Sequence, residues 1–243
     1  MPRDWDASAY DRLSDPQRRW GAAVLDRLEL AGDERVLDAG CGTGRVTELL
    51  RERLPHGSVV ALDASPSMVA RARARLGADR TTYVVADLME PLPVAAVDAV
   101  VSTATFHWVP DHERLFRNLA AALRPGGRLE AQCGGAGNVA NLAEIVGSFG
   151  LDASLGKVYA TAEATHDRLE RAGFIEVRCW LQDEPTPIPR EDLGAFLQTV
   201  CLGGLLEDLP EERRASIAHD VAARMSESRL DYVRLNLSAR RGG

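Results

Sequence analysis

An acidic residue and three glycines, Asp38, Gly40, Gly42 and Gly44, alternate with single residues between a short apolar segment and an amphipathic one. The apolar segment predicts a strand, and the amphipathic one predicts a helix. A turn without side chains lets a ligand approach the backbone closely. The free N–H groups and the positive dipole end of the following helix would point into the same crevice. This stretch therefore predicts a ligand-binding turn.

The glycine spacing discriminates between ligands. In the dinucleotide pattern G-x-G-x-x-G the third glycine would fall on Arg45, whereas this chain has its glycine one residue earlier, at Gly44. The carboxylate of Asp38 would repel a phosphate but could pair with an ammonium group. S-adenosylmethionine has an amino group, a carboxylate, a sulfonium and a ribose, and it has no phosphate. The stretch favours this cofactor over a dinucleotide.

The pattern Asp38-x-Gly40-x-Gly42-x-Gly44 resembles the first motif of class I S-adenosylmethionine-dependent methyltransferases, and residues 123–129, LRPGGRL, resemble a late motif of the same family. The resemblance covers roughly residues 30–135. It implies S-adenosylmethionine as methyl donor, S-adenosylhomocysteine as product, and an antiparallel pairing of the last two strands at the sheet edge. Trp5 with Tyr10, the run FHWVPDH at 106–112 and a late helical insertion look most like small-molecule enzymes of the trans-aconitate methyltransferase type.

Strands and helices alternate from residue 35 onward, which predicts a doubly wound α/β sheet with helices on both faces. We expect seven strands, mostly parallel with an antiparallel last strand, at 35–39, 58–63, 82–86, 97–103, 128–132, 174–181 and 230–238. The expected helices include 15–29, 44–54, 66–76, 139–150 and 161–172. We expect one domain (1–243), comprising an N-terminal helical cover (1–30), a cofactor-binding core (31–135) and an acceptor-side half (136–243) with a helical insertion before the last strand (189–227).

Asp63 ends the second predicted strand, 19 residues after Gly44. An acid at this place reaches the ribose hydroxyls of a nucleoside held by the first loop. The alternative is that Asp63 caps the next helix. Ser65 and Pro66 already supply a cap and a first-turn proline, which favours the ligand.

Asp87 follows the third predicted strand and could accept a hydrogen bond from the adenine amino group, while Leu88 packs on the ring. In the family that the chain resembles, this position contacts adenine. The residues expected to contact the cofactor are Tyr10, Asp38, Ala39, Gly40, Gly42, Gly44, Asp63, Ala64, Met68, Ala86, Asp87, Leu88, Thr103 and His107.

His107 is the candidate catalytic residue, because it is the histidine that follows the fourth strand, where the crevice should lie. Its imidazole could orient an acceptor or act as a base near neutral pH. The alternative is a histidine hydrogen-bonded to backbone or touching the cofactor. Methyl transfer mainly requires alignment and exclusion of water, and it needs a base only when the acceptor must lose a proton.

Two further stretches have open alternatives. Trp5 and Tyr10 could cover the cofactor crevice, or could anchor a loose terminus. The glycine-rich run 133–138 could bind an anionic group of the acceptor, or could be a tight connection. His107 and His112 are five residues apart, off the spacing of a helical metal pair, so we expect no metal.

The composition narrows the function classes. A net charge of −7 makes a nucleic-acid partner less favourable, and there is no apolar run long enough for a membrane span. Four widely separated cysteines and the residues at the start of the chain predict reduced thiols and a cytoplasmic protein. The prediction is methyl transfer to an oxygen, nitrogen or carbon atom of a small organic acceptor. The alternatives are a nicotinamide-dependent oxidoreductase, a non-catalytic S-adenosylmethionine-binding protein, and non-methyl chemistry with the same cofactor.

Overall fold

The computed structural model describes residues 15–206 and 209–243, apart from the side chains of residues 15–18. Trp5 and Tyr10 lie outside the described residues. The helices are α1 (Asp15–Arg27), α2 (Arg45–Glu52), α3 (Pro66–Leu76), α4 (His112–Ala122), α5 (Ala140–Ser148), α6 (Ala162–Arg171), α7 (Leu193–Phe196) and α8 (Glu211–Arg224). The strands are β1 (Arg35–Ala39), β2 (Ser58–Asp63), β3 (Thr81–Val85), β4 (Val97–Thr103), β5 (Leu123–Gly134), β6 (Phe174–Asp183), β7 (Thr186–Pro187), β8 (Arg229–Leu230) and β9 (Val233–Arg241).

Seven of these strands form one sheet in the order β3-β2-β1-β4-β5-β9-β6. Strands β1 to β5 pair in parallel with their neighbours, and β9 pairs antiparallel with both β5 and β6. The predicted doubly wound sheet with an antiparallel last strand is confirmed. The chain order reverses between β1 and β4, which is where open α/β sheets form a ligand crevice.

Most predicted boundaries agree with the structure, and the two largest differences have a physical reason. β5 begins at Leu123 rather than at 128, because Leu123 already pairs with Val97 before an irregularity shifts the register to Arg128. β9 begins at Val233 rather than at 230, because Leu230 pairs instead with Thr186 in the short β7–β8 ladder.

The sheet has an apolar core on each face, because successive side chains of a strand point to opposite sides. Leu37 and Val100 belong to the core on one face, together with Phe116 of α4. Val36 and Val101 belong to the core on the other face, which α1 and α2 cover.

The expected helical insertion contains α7, a π-helical turn at Leu197–Cys201 and α8. Its apolar side chains form a further core with α5, and this core also includes Trp20 of α1 and Tyr232 near the start of β9. The insertion therefore packs against α1 and against the start of β9. No helix within 15–206 or 209–243 is long and apolar enough to cross a bilayer.

A substitution of Leu129 tests the packing of the central sheet, because this side chain of β5 is fully buried in the core on one face of the sheet. We expect Leu129→Ala to lower the free energy of unfolding by about 2 to 5 kcal/mol, measured by urea denaturation. The control is Ile175→Ala on the edge strand β6, whose residue is 52% exposed and should change stability by less than about 0.5 kcal/mol. Equal losses in both variants would contradict this packing.

Candidate functional site

A cavity of about 660 Å³ opens at the carboxyl ends of the parallel strands. The sequence-predicted site residues that line it are Gly40, Gly42, Asp63, Ala64, Met68, Asp87, Leu88, Thr103 and His107. Asp38, Ala39, Gly44 and Ala86 lie outside this lining, and Tyr10 lies outside the described residues. The structure thus brings the ends of β1, β2, β3 and β4 together around one space.

The three glycines of the first loop have positive φ, and the space around each of them differs. A Cβ on Gly40 would collide with the side chain of Thr105. Gly42 lines the cavity, and a Cβ there would meet no protein atom within 4 Å. A Cβ on Gly44 would lie 3.1 Å from the Cβ of Ala72, so Gly44 allows α2 and α3 to pack closely. Gly42 leaves room for a ligand against the backbone.

Asp38 lies behind the glycine loop and is 1% exposed. Its carboxylate accepts a hydrogen bond of 2.6 Å from the hydroxyl of Thr47. Burial raises the pKa of Asp38 to about 7, the Thr47 hydrogen bond opposes this rise, and the nearby charge of Asp63 adds to it. The loop is therefore underlain by a carboxyl group that titrates near neutral pH.

Asp63 joins the end of β2 to the glycine loop. Its carboxylate accepts hydrogen bonds of 2.9 Å from the backbone N–H groups of Gly42 and Ser65. Burial raises the pKa of Asp63, and these two hydrogen bonds partly offset that rise. The hydroxyl of Ser65 accepts from the N–H of Met68 and caps α3, so Asp63 is not the cap and lies at the cavity wall.

Asp87 and Leu88 lie at the cavity wall after β3. One carboxylate oxygen of Asp87 accepts a 2.9 Å hydrogen bond from the N–H of Met89, which also lines the cavity. Leu88 is 5% exposed. Their contact with adenine stays a prediction.

Part of the cavity is lined by aromatic and cationic side chains that the sequence reasoning missed as site residues. We call this part the distal chamber, and it is lined by Trp20, Trp108, Lys157, Tyr159, Tyr232 and Arg234. A signal was present in the last predicted strand (230–238), where Tyr232 and Arg234 alternate onto the same face although a core position is normally apolar. Val200, Cys201 and Gly204 of the insertion also line the cavity.

Arg234 is 2% exposed and held from two directions. Its Nε donates a 3.4 Å hydrogen bond to the side-chain oxygen of Gln132. Its guanidinium carbon lies 4.2 Å from the ring centroid of Trp20 and 6.0 Å from that of Tyr232. This arrangement places a guanidinium in the chamber wall between aromatic rings.

Lys157 fastens the loop after α5 to the insertion. Its ammonium donates hydrogen bonds to the carbonyls of Leu155, at 3.1 Å, and Cys201, at 2.9 Å. The same ammonium lies 4.3 Å from the ring centroid of Trp108. Lys157 thus holds this loop against the insertion and adds positive charge to the cavity wall.

His107 is 8% exposed, and its Nδ1 accepts a 3.2 Å hydrogen bond from the backbone N–H of Gly134. In a neutral imidazole the proton must then be on Nε2. Burial lowers the pKa of His107 well below its ordinary value, and the charges of Arg234 and Lys157 lower it further. His107 is therefore a neutral hydrogen-bond donor, a state that agrees with the backbone-bonded alternative.

The glycine-rich run 133–138 makes a tight connection in the structure. The N–H of Gly135 donates to the carbonyl of Val233, and the N–H of Ala136 donates to that of Ala160, both at 2.9 Å. Because these N–H groups already have backbone acceptors, this run is a tight connection rather than an anion-binding turn.

Within the described part of the chain, the group of three side chains that could hold an ion is His166, Asp167 and Glu170 on α6, and none of them lines the cavity. His112 contacts the carbonyl of Phe106 through Nε2, at 2.9 Å.

The titration of Asp38 should appear in the stability of the ligand-free protein. Unfolded Asp38 has a pKa near 3.8 and folded Asp38 one of about 7, so between these values the folded state holds a proton that the unfolded state has lost. Asp38 therefore stabilises the fold fully below about pH 4, and this stabilisation is lost as the pH rises towards 7, by at most about 1.4 kcal/mol per pH unit.

We expect Asp38→Asn, which keeps an acceptor for Thr47, to become more stable relative to the wild type as the pH rises from 4 to 7, in urea denaturation at each pH. Asp63 is present in both proteins and so contributes to both curves. Curves that stay parallel over this range would show that Asp38 does not carry this proton.

Known proteins resemble this chain in sequence over about half its length. Residues 37–131 match the family described as a methyltransferase domain. Trans-aconitate 2-methyltransferase of Methylobacterium nodulans is 40% identical over 129 residues, which are 53% of this chain and 49% of that protein. The chain thus spans about half the length of the curated relatives it matches.

Solved structures share the fold at low sequence identity. Phosphoethanolamine N-methyltransferase 2 of Haemonchus contortus, solved with phosphomonomethylethanolamine and S-adenosylhomocysteine, has a TM-score of 0.68 at 19% identity, over 98% of this chain and 57% of that one. The [4+2]-cyclase SpnF has a TM-score of 0.63 at 22% identity, over 93% of this chain and 80% of that one.

The matched domain begins in β1 and ends in β5, so it contains the glycine loop and the acidic ends of β2 and β3. The whole described fold, with its seven-stranded sheet, resembles the solved neighbours. By these criteria, residues 37–131 match a methyltransferase domain in sequence, and the described chain shares its fold with solved methyltransferases.

Proposed function

We propose that this protein transfers a methyl group from S-adenosylmethionine to a small organic acceptor and releases S-adenosylhomocysteine. The observation that carries the proposal is that a single cavity joins the glycine loop and the acidic strand ends to the distal chamber. Two reactants held in one enclosed space are aligned without the entropic cost of a collision in solution. The methyltransferase domain match and the trans-aconitate 2-methyltransferase relatives support the same reaction class.

The residues of the cofactor wall fit an adenosyl sulfonium better than a dinucleotide. Gly42 leaves open space at the backbone, and Asp63 and Asp87 present acceptors for ribose hydroxyls and an adenine amino group. Asp38, beneath the loop, supplies negative charge for the methionine ammonium. Acidic groups in this wall would repel a pyrophosphate, which disfavours a nicotinamide cofactor.

S-adenosylmethionine, when bound, supplies a methyl group already activated by its sulfonium, so the protein's own part is alignment and exclusion of water. Thr103 ends β4 at the cavity wall, and the insertion covers the distal chamber. His107 would orient the acceptor by donating from Nε2, and its Nδ1 is already engaged by Gly134.

We propose that the chain acts as one domain in the cytoplasm, with no nucleic-acid or membrane partner. The insertion core includes Trp20 of the N-terminal helix and Tyr232 beside the last strand, which supports a single unit. The four cysteines are free thiols, which supports a reducing compartment.

Asp63→Ala tests the cofactor assignment. The variant removes the carboxylate expected to accept the ribose hydroxyls, so calorimetric binding of S-adenosylmethionine and S-adenosylhomocysteine should weaken by about 10- to 150-fold, or roughly 1.5 to 3 kcal/mol. The matched control is Asp26→Ala, whose side chain is 68% exposed and pairs with Arg53, and which should bind both ligands like the wild type.

NADH serves as the competing ligand in the same titrations. Binding of NADH in place of the two adenosyl compounds would contradict the assignment and favour an oxidoreductase. Tight binding of S-adenosylhomocysteine without methyl transfer to any acceptor would favour a binding protein or non-methyl chemistry, as the shared fold of a [4+2]-cyclase illustrates.

A further inference from the structure

We propose that the acceptor is a small monocarboxylic acid with a flat, apolar or aromatic body, that Arg234 binds its carboxylate, and that this carboxylate is the group methylated. The proposal rests on the proposed function and adds to it the chemical class of the acceptor. It assigns to Arg234 the role of the specificity-determining residue.

The distal chamber combines aromatic surface with a buried guanidinium. Trp20, Trp108, Tyr159 and Tyr232 present rings to the cavity, and apolar residues such as Val139 and Leu155 complete the wall. Rings of this kind favour a flat apolar ligand body. A guanidinium fork matches the two oxygens of one carboxylate.

The chamber geometry favours one carboxylate rather than several. Among the described residues that line the cavity, Arg234 and Lys157 are the side chains with a permanent positive charge. The ammonium of Lys157 already donates to two backbone carbonyls, from Leu155 and Cys201, which gives it a structural role in the cavity wall. A second or third carboxylate would be buried among aromatic rings without a fork to receive it, and burying an unpaired charge is costly.

Arg234 is held in place by a buried polar network across β5 and β9. Gln132 accepts from its Nε, and the amide nitrogen of Gln132 donates to the side-chain oxygen of Asn236, at 3.0 Å. Arg27 donates to the same oxygen of Asn236, at 3.1 Å, and to Glu130, at 2.9 Å. Such a network fixes the direction of the guanidinium before a ligand arrives, which lowers the entropic cost of binding.

The position of Arg234 in the sheet separates it from the cofactor wall. The cofactor wall comes from the ends of β1, β2 and β3, whereas Arg234 pairs with Gly134 on β5, beyond β4. Arg234 therefore belongs to the acceptor side of the cavity.

The chemistry of a carboxylate acceptor suits the groups in the chamber. His107 is a neutral donor with its Nδ1 occupied, and burial raises the pKa of the Tyr159 phenol far above neutral. Neither group is a ready base, and a carboxylate needs none. A carboxylate oxygen forms a bond to the methyl carbon while the carbon–sulfur bond breaks and its electron pair returns to sulfur. The negative carboxylate and positive sulfonium become a neutral ester and a thioether, and no proton is transferred.

The test titrates the complex of the protein with S-adenosylhomocysteine. The probes are trans-cinnamate and benzoate as flat monocarboxylates, cinnamamide as the uncharged counterpart, and trans-aconitate, which has three carboxylates. We expect at least one flat acid to bind at least about 10-fold more tightly than cinnamamide and trans-aconitate. With S-adenosylmethionine, mass spectrometry should detect the methyl ester of that acid.

Arg234→Gln should weaken binding of the flat acid by about 10-fold or more and leave cinnamamide and S-adenosylhomocysteine within about threefold of the wild type. Arg234→Lys keeps the charge without the fork and should give an intermediate affinity. Arg234→Lys is also the test variant if Arg234→Gln does not fold. The matched control is Arg240→Gln on the same strand, whose side chain pairs with Glu176 at the surface and which should behave like the wild type.

Three outcomes would overturn the proposal. The first is tighter binding of trans-aconitate than of the flat acids. The second is equal binding, or no binding, of the acids and the amide. The third is that Arg234→Gln loses binding of S-adenosylhomocysteine rather than binding of the acid. Failure of the wild type to bind S-adenosylhomocysteine at all is a separate result, because it overturns the proposed function itself.

Discussion

The attachment of the glycine loop to the end of β2 is the constraint on which the cavity depends. The N–H groups of Gly40 and Cys41 donate to the carbonyl of Leu62, at 2.7 and 2.9 Å, and the N–H of Gly42 donates to the carboxylate of Asp63. These bonds hold the loop in a backbone conformation with positive φ, which glycine adopts without steric cost. The ends of β1 and β2 therefore form one rigid wall that the other strand ends extend.

The same attachment concentrates negative charge beneath the loop. Asp38 and Asp63 are both buried enough to have raised pKa values, and the charge of Asp63 further disfavours ionisation of Asp38. A positively charged ligand group would relieve this repulsion, whereas a phosphate would increase it. The electrostatics of the wall and the space at Gly42 thus favour the same kind of ligand.

The position of β9 between β5 and β6 determines which side chains of the last strand line the distal chamber. Because β9 is antiparallel, its first residues lie beside the carboxyl end of β5, and Arg234 pairs with Gly134 there. A buried arginine in a sheet is tolerated only with partners, and Gln132 and the ring of Trp20 provide them. The insertion that precedes β9 then covers this end, with Lys157 joined to the carbonyl of Cys201.

The sequence alone determined the seven strands of the main sheet, most of the helices between them and the residues at the ends of β1, β2 and β3. Hydrophobic periodicity and glycine or acidic residues at strand ends are local signals. The sequence did not reveal the distal chamber, whose residues lie far apart along the chain: Trp20, Trp108, Lys157, Tyr159, Tyr232 and Arg234. Local periodicity assigns a side chain to a face but does not say which element covers that face. That depended on where β9 entered the sheet and where the insertion packed, and these are properties of the tertiary structure.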